Sequence, residues 1–451
     1  MLTSIVRNGL MFFSIPFFAS TLGTSQYGIV SAYKTWVGIF TIVLSLQISG
    51  SIGPAITHYS IGEQKKYLSS TMIMSIFVSI LFACIGWILV DVLSELLLME
   101  QKPIGLMAMQ AMGMSIITFS STTFIFRKQA QYSFWVQILP EILGIVLSFY
   151  LVKYCFTSDT LYLACMYGTS IPIALLGIPL GVYFIHSGKW TFRWADVQFC
   201  LPICLPLIFH GLSGMLMSQS DRLMIQRMVG NADAGIYSFI ILFSNALMAV
   251  WAALNNTWVP LYFDYLKRHR IDEIREKSRH YIFLFGLILS VFILWAPEVI
   301  KVMVSADYWS GIRLLPIFVL SSFFSFLYSF PANFQFYHMK THFIAMATVM
   351  ASCINIGLNY FVIPRWGMDG AAFATLVSHM AMFIFHEYVA VYVIDAPYHY
   401  NMRFFFLGMI HVCIMIGFFI ICRDMVIVRW GVGMVLAMMF VCNIYRRKSF
   451  F

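Results

Sequence analysis

Leu205–Ser238 reads LPLIFHGLSGMLMSQSDRLMIQRMVGNADAGIYS, an apolar span that carries Asp221 and Arg222 and closes on Val229-Gly230 and Gly235-Ile236-Tyr237-Ser238. A weaker copy of that ending stands near the N-terminus, where Leu22-Gly23 precedes Tyr27-Gly28-Ile29. In both places the glycines lie five residues apart and a long apolar segment follows the second one. The same turn written twice between hydrophobic segments is the trace of a duplicated membrane protein. Composition agrees. Of 451 residues, 61% are hydrophobic and 10% charged, and the mean hydropathy is +0.83. A soluble globule carries about 25% charged residues, so most of this surface faces lipid.

A bilayer crossing needs roughly 20 apolar residues whose backbone satisfies its own hydrogen bonds. Apolar runs of that kind fall near 2–21, 33–55, 69–91, 104–126, 132–152 and 161–185. The second set lies near 199–220, 236–260, 281–303, 312–332, 342–363, 371–394, 404–421 and 425–443. The pattern predicts an all-α polytopic membrane protein of about fourteen transmembrane helices, twelve being the other count. The polar stretch 186–198 divides a bundle at 1–185 from a second at 199–394, and 395–451 holds two extra helices and a basic tail. No connection is long enough for a soluble domain. The first segment has one cation, Arg7, and Pro16 inside it; it lacks the build of a removable signal peptide and reads as a retained first helix.

Short cytoplasmic loops are enriched in Lys and Arg. With the N-terminus inside, the cytoplasmic connections collect Lys65, Lys66, Arg127, Lys128, Lys189, Arg193, the basic run from Lys267 to Arg279, Lys340, Arg403 and the tail Arg446, Arg447 and Lys448. Both termini are therefore expected in the cytoplasm. This bias accounts for the net charge of +9, which leaves nucleic acid without a role, and it places the 264–280 loop against anionic lipid. The nine cysteines and eleven histidines form no metal-ligand spacing. Cys200 and Cys204 share a helix face without companion ligands, and His210, His338, His379 and His386 read as isolated polar groups. There is no GxSxG, no phosphate-binding GxxxxGK[ST] and no acid pair placed for hydrolysis, so no catalytic residue, metal or cofactor is expected.

What remains is the set of ionisable groups at membrane depth, each costing about 2.5 kcal/mol or more when central. They are Arg7, Lys34, Glu141, Asp221, Arg222, Arg227, Glu387 and Glu298. Glu141 follows Pro140 inside the fifth span and Glu387 sits deep in the twelfth; each either faces a cavity or forms a structural polar pair. Arg222 either snorkels outward or lines a substrate path. Lys34 opens the second span close enough to the outer interface to snorkel. Prolines within the spans can kink them, which suits a transporter that rocks between two open states.

Four stretches together resemble a family: the Leu205–Ser238 run; Pro16–Ile29 (PFFASTLGTSQYGI); Asn355–Thr375 (NIGLNYFVIPRWGMDGAAFAT), similar to an N…LN…IP…G…GAA.AT block; and Asn255 with Trp258-Val259-Pro260. They resemble the polysaccharide transporters of the MATE-like flippase superfamily, which flip undecaprenyl-pyrophosphate-linked O-antigen units. The resemblance implies two pseudo-symmetric helix bundles around a central cavity and a lipid-linked oligosaccharide as cargo. It also implies a place in the bacterial inner membrane, with a polysaccharide polymerase and a chain-length regulator as partners. Arg7, Lys34, Asp221, Arg222 and Arg227 become the substrate-path candidates, with Glu141 and Glu387 the candidates for proton or sodium coupling. Many relatives carry an arginine just before the first-helix LG, where this chain has Ser20. A multidrug antiporter of the same superfamily is the alternative, although such proteins resemble one another in a first-helix acid and residues 1–21 contain none. A polysaccharide polymerase or ligase is the other, and its usual large external loop is absent.

Overall fold

The computed structural model describes residues 2–394 and 402–447, divided after Gly235 into two compact units. The first unit holds α1 (Leu2–Leu44), a 3₁₀ turn (Ile48–Ser51), α2 (Ile52–His58), α3 (Ile61–Ile88), α4 (Val90–Leu97), α5 (Gln101–Phe126), α6 (Ala130–Tyr154), α7 (Leu161–Ser187) and α8 (Trp194–Met228). The second is built from α9 (Asn231–Lys267), which starts at the boundary, α10 (Ile271–Met303), a 3₁₀ segment (Ala306–Leu314), α11 (Leu315–Tyr337), α12 (Thr341–Tyr388), a π-helical turn (Val389–Val393), α13 (Met402–Ile421) and α14 (Val426–Arg447). Lys448 of the basic tail lies outside the described residues.

Two of these helices are hairpins. Gly23 interrupts α1 at φ 68, ψ 173, and Gly367 interrupts α12 at φ 55, ψ −132. Ser14 and Lys34 line one narrow cleft, yet twenty residues of straight helix would hold them about 30 Å apart, so the chain reverses at Gly23. Likewise Asn355 Nδ2 donates to Thr375 Oγ1 at 3.4 Å across Gly367. Twelve helices among the described residues are long and apolar enough to cross a membrane. Two of the twelve, those in α1 and α12, are interrupted at Gly23 and Gly367.

Backbone at φ 68, ψ 173 is essentially open to glycine alone, and a side chain there costs about 1–3 kcal/mol. An added Cβ meets nothing within 4 Å at either Gly23 or Gly367, so the penalty is purely conformational. Gly23→Ala and Gly367→Ala are each expected to lose about 1–3 kcal/mol. Thermal unfolding of the purified variants checks this, and a wild-type curve for either would refute the strained reversal.

One expected span ends early. The second limb of α1 stops at Leu44, and Leu46 and Gln47 turn at φ 47 and 50. Left-handed residues cannot continue a right-handed helix, so residues 48–58 become short helices instead of the tail of a 33–55 span. The polar stretch 186–198 is also drawn inward. Asp196, 1% exposed, accepts from Arg193 Nε and Nη2 at 2.9 and 2.8 Å and from Ser70 Oγ at 2.7 Å. The Arg193 guanidinium is raised above its ordinary pKa chiefly by that bond. The latch pins the start of α8 to α3, and Cys200 and Cys204 follow into an apolar core with Tyr67, Phe119 and Phe184. Packing thus joins α8 to the first unit.

The second unit centres on an aromatic cluster. Trp258 stacks on Tyr262 with centroids 5.8 Å apart, Tyr281 meets Phe326 edge-on at 4.9 Å, and Phe285 stacks on Phe326 at 4.4 Å. Asn255, one turn from Trp258, accepts from Asn333 Nδ2 of α11 at 3.1 Å.

Candidate functional site

In the first unit four helix faces converge. On α1, Ser14, Ile15 and Phe18 come from the first limb and Tyr27, Val30 and Lys34 from the second, the latter spaced i, i+3, i+7 along one face. Glu141, Gly144 and Ser148 supply the same spacing on α6, and Cys165, Thr169 and Ile173 line it from α7. Small residues let α6 and α7 approach. A Cβ on Gly144 would lie 3.5 Å from the Gly168 carbonyl oxygen, and one on Gly168 would overlap Ser148. The result is a narrow cleft of about 60 Å³. Lys34 is exposed and Glu141 half-buried.

Lys34 is held in register by its neighbour. The Tyr33 hydroxyl, about 100° further round the helix, donates to Gln110 Oε1 of α5 at 2.9 Å and lies 2.9 Å from Ser170 Oγ of α7. Ser170 also donates to Gln110 Oε1, at 2.9 Å. Gln26 fixes the turn above: its Nε2 donates to the Ser158 carbonyl at 2.6 Å and its Oε1 accepts from the Tyr162 N–H at 3.0 Å, in the first turn of α7. Arg222 of α8 donates through Nη1 to Gln219 Oε1 at 2.5 Å, and Gln219 Oε1 also accepts from Thr35 Oγ1 of α1, next to Lys34, at 3.5 Å. Asp221 is buried and engaged with its neighbours.

The structure therefore gathers Lys34 and Glu141, with Arg222 nearby, and leaves the other candidates apart. Arg7 is exposed on the first limb of α1. Arg227 reaches back from the end of α8 to the Leu96 carbonyl at 3.3 Å, tying α8 to α4. Glu387 lies in the second unit beside His386, half-buried, with Oε2 lacking a hydrogen-bond partner.

Sequence reading missed three things. Gln26, Gln110 and Gln219 anchor α1 although each looks like an ordinary polar residue. His379 and His386 are not isolated: Ser321 Oγ lies 2.7 Å from His379 Nδ1, and Gln335 Oε1 lies 2.8 Å from His386 Nδ1. Buried imidazoles carry polar atoms that packing alone cannot satisfy, so each found a partner on α11. Glu298 pairs with Arg429, a lone cation in the last apolar span, whose isolation there was the available signal.

The family model for polysaccharide biosynthesis proteins matches residues 1–266. The chain belongs to that family. It is 25% identical over 360 residues to a Haemophilus influenzae protein of the Lsg locus, covering 76% of this chain and 85% of that one. Among solved structures, the lipid II flippase MurJ in its inward closed conformation superposes with a TM-score of 0.77 at 14% identity, covering 99% of this chain and 98% of MurJ. An inward-facing multidrug MATE transporter of the MOP superfamily gives 0.65 at 12% identity over 90% of this chain and 95% of its own. The fold is accordingly similar to that of MurJ and of the MATE transporter.

Proposed function

We propose that the protein flips polyprenyl-pyrophosphate-linked O-antigen, or a similar polysaccharide repeat unit, from the inner to the outer leaflet of the bacterial inner membrane by alternating access. The observation that carries the reading is membership of a polysaccharide biosynthesis family by a chain made almost wholly of membrane-spanning helices. Such a chain offers the pathway a route across the bilayer more readily than a bond-making centre. Placing an anionic headgroup in a low-dielectric slab is prohibitive unless fixed cations replace its water; Arg222 and Lys34, with Arg7 and Arg227, are the cations available.

Two halves of the chain rock about the cargo, with both termini cytoplasmic and with the polymerase and chain-length regulator taking up the flipped unit. Proton or sodium coupling runs through Glu141 and Glu387. The antiporter reading is disfavoured because residues 1–21 contain no acid. Chromosomal deletion tests the proposal: single lipid-linked units accumulate on the inner leaflet and surface polysaccharide disappears. Normal surface glycan with raised sensitivity to toxic compounds would hand the role to the antiporter.

A further inference from the structure

Where α3 ends at Ile88 the backbone steps out of the helix at Leu89 (φ −98, ψ 20), and α4 continues from it. Between α4, the end of α3, the start of α5 and the second limb of α1 lies a cavity of about 440 Å³. Its walls include Phe40, Leu44, Phe82, Leu93 and Ile104, and no charged, amide or hydroxyl side chain lines it. Native packing leaves few voids larger than a water, and apolar walls give water no hydrogen-bond partners. The space has the size of a small-molecule site, typically about 300–1,000 Å³, so the guest it suits is a hydrocarbon chain. Phe82, Ile85 and Trp87 of the same lining are exposed on a helix apolar enough to cross a membrane, which sets the cavity against the acyl chains of the bilayer.

Two glycines keep the space open. Gly86 and Gly105 sit inside helices, where glycine is disfavoured, and neither adopts a left-handed angle. An added Cβ meets nothing within 4 Å at Gly105 and only Leu93 Cδ1, at 3.7 Å, at Gly86. Neither packing nor backbone geometry asks for glycine at these positions; the cavity does. The residues around it carry both signs of charge. Asp91 and Glu95 on α4 and Glu100 before α5 are exposed acids, while Lys102 on α5 and Arg227, which donates to the Leu96 carbonyl of α4 at 3.3 Å, are exposed cations. Trp87 is of the residue type that sits at headgroup depth.

We propose that this cavity is a phospholipid site that takes one acyl chain of a zwitterionic lipid of the phosphatidylethanolamine type, its headgroup resting on the α4–α5 connection. The carboxylates receive the ammonium and Lys102 the phosphate. A polyprenyl chain with a pyrophosphate head suits the walls and not the rim, where three carboxylates oppose its negative charge; an anionic phospholipid is disfavoured for the same reason. A seated chain supports α4 from beneath, and with it the Arg227 contact that ties α4 to α8. The site stands whatever the chain transports.

The test uses purified full-length protein stripped of lipid in detergent, with native mass spectrometry after addition of dioleoyl phosphatidylethanolamine. One lipid is retained per chain, and it raises the midpoint of thermal unfolding. Gly105→Leu, whose side chain enters the cavity from a position with open space around it, folds and no longer retains the lipid. Phosphatidylglycerol binds about two- to fivefold more weakly, the scale of exposed ion pairs, and Asp91→Asn combined with Glu95→Gln removes the difference. Should Gly105→Leu not fold, phosphatidylethanolamine with brominated chains reads the site directly: its quenching of tryptophan fluorescence saturates at one equivalent and drops in Trp87→Phe. Retention of the lipid by folded Gly105→Leu, quenching unchanged in Trp87→Phe, equal affinity of wild type for the two lipids, or displacement by an equal amount of undecaprenyl phosphate refutes the site. Deletion phenotypes report separately on the flippase reading.

Discussion

An Arg429→Ala protein is expected to lose about 3–5 kcal/mol of stability, the cost of breaking a buried ion pair from one side. Arg429 is 1% exposed. Its Nη1 donates to the Leu294 carbonyl at 2.8 Å and to Glu298 Oε2 at 3.0 Å, and its Nη2 reaches Glu298 Oε1 at 2.5 Å. Trp430 Nε1 adds a bond to Glu298 at 3.3 Å, and Trp430 stacks on Trp295 with centroids 5.3 Å apart. These contacts fasten α14 to α10. Removing the guanidinium strands a carboxylate at membrane depth and an acceptor carbonyl with it. For a unit of this size the midpoint of thermal unfolding should fall by about 10 °C. Desolvating both charges nearly offsets their attraction, so Arg429→Met combined with Glu298→Leu should sit close to wild type. Equal losses in the single and double variants would show that the site matters for packing alone.

Arg429 also marks where sequence reading stops. Hydropathy locates a span because lipid imposes one demand along its whole length, and glycines locate reversals because few residues reach those backbone angles. Both signals are local, and Gly23 stands in the turn they mark; the reversal at Gly367 went unread as a glycine turn. Which helix a polar side chain meets is a tertiary fact with no periodicity of its own. Glu298 was visible as a charge needing an answer, but nothing near it in sequence names residue 429. Lys34 and Glu141 were assigned to different tasks for the same reason. Their separation of more than one hundred residues hides that α1 and α6 present the faces carrying them to one cleft. His386 and Gln335, and Tyr33 and Gln110, repeat the lesson with neutral partners.

The duplicated turn gives the sharpest case, because its glycines were read as a mark of ancestry and the structure gives them a joint mechanical role. A Cβ on Gly28 would overlap the Asn231 carbonyl oxygen and lie 3.0 Å from the Gly235 nitrogen; a Cβ on Gly235 would overlap the Thr24 carbonyl oxygen and lie 3.0 Å from the Gly28 nitrogen. Each copy of the turn is the other's packing partner, backbone against backbone. Neither glycine needs a left-handed angle; what both need is space, and no side chain stands between them to swing aside. Gly28→Ala and Gly235→Ala should each lose about 1–3 kcal/mol, the usual cost of overpacking. The double variant should lose little more than either single one, since the first methyl already parts the turns and contacting residues are non-additive by amounts of that order. Gly214→Ala, in α8 with nothing within 4 Å of the added carbon, should be neutral or slightly stabilising. Thermal unfolding of the four proteins measures this cycle. Losses that simply add would mean the two turns stand independently and would undo the reciprocal contact.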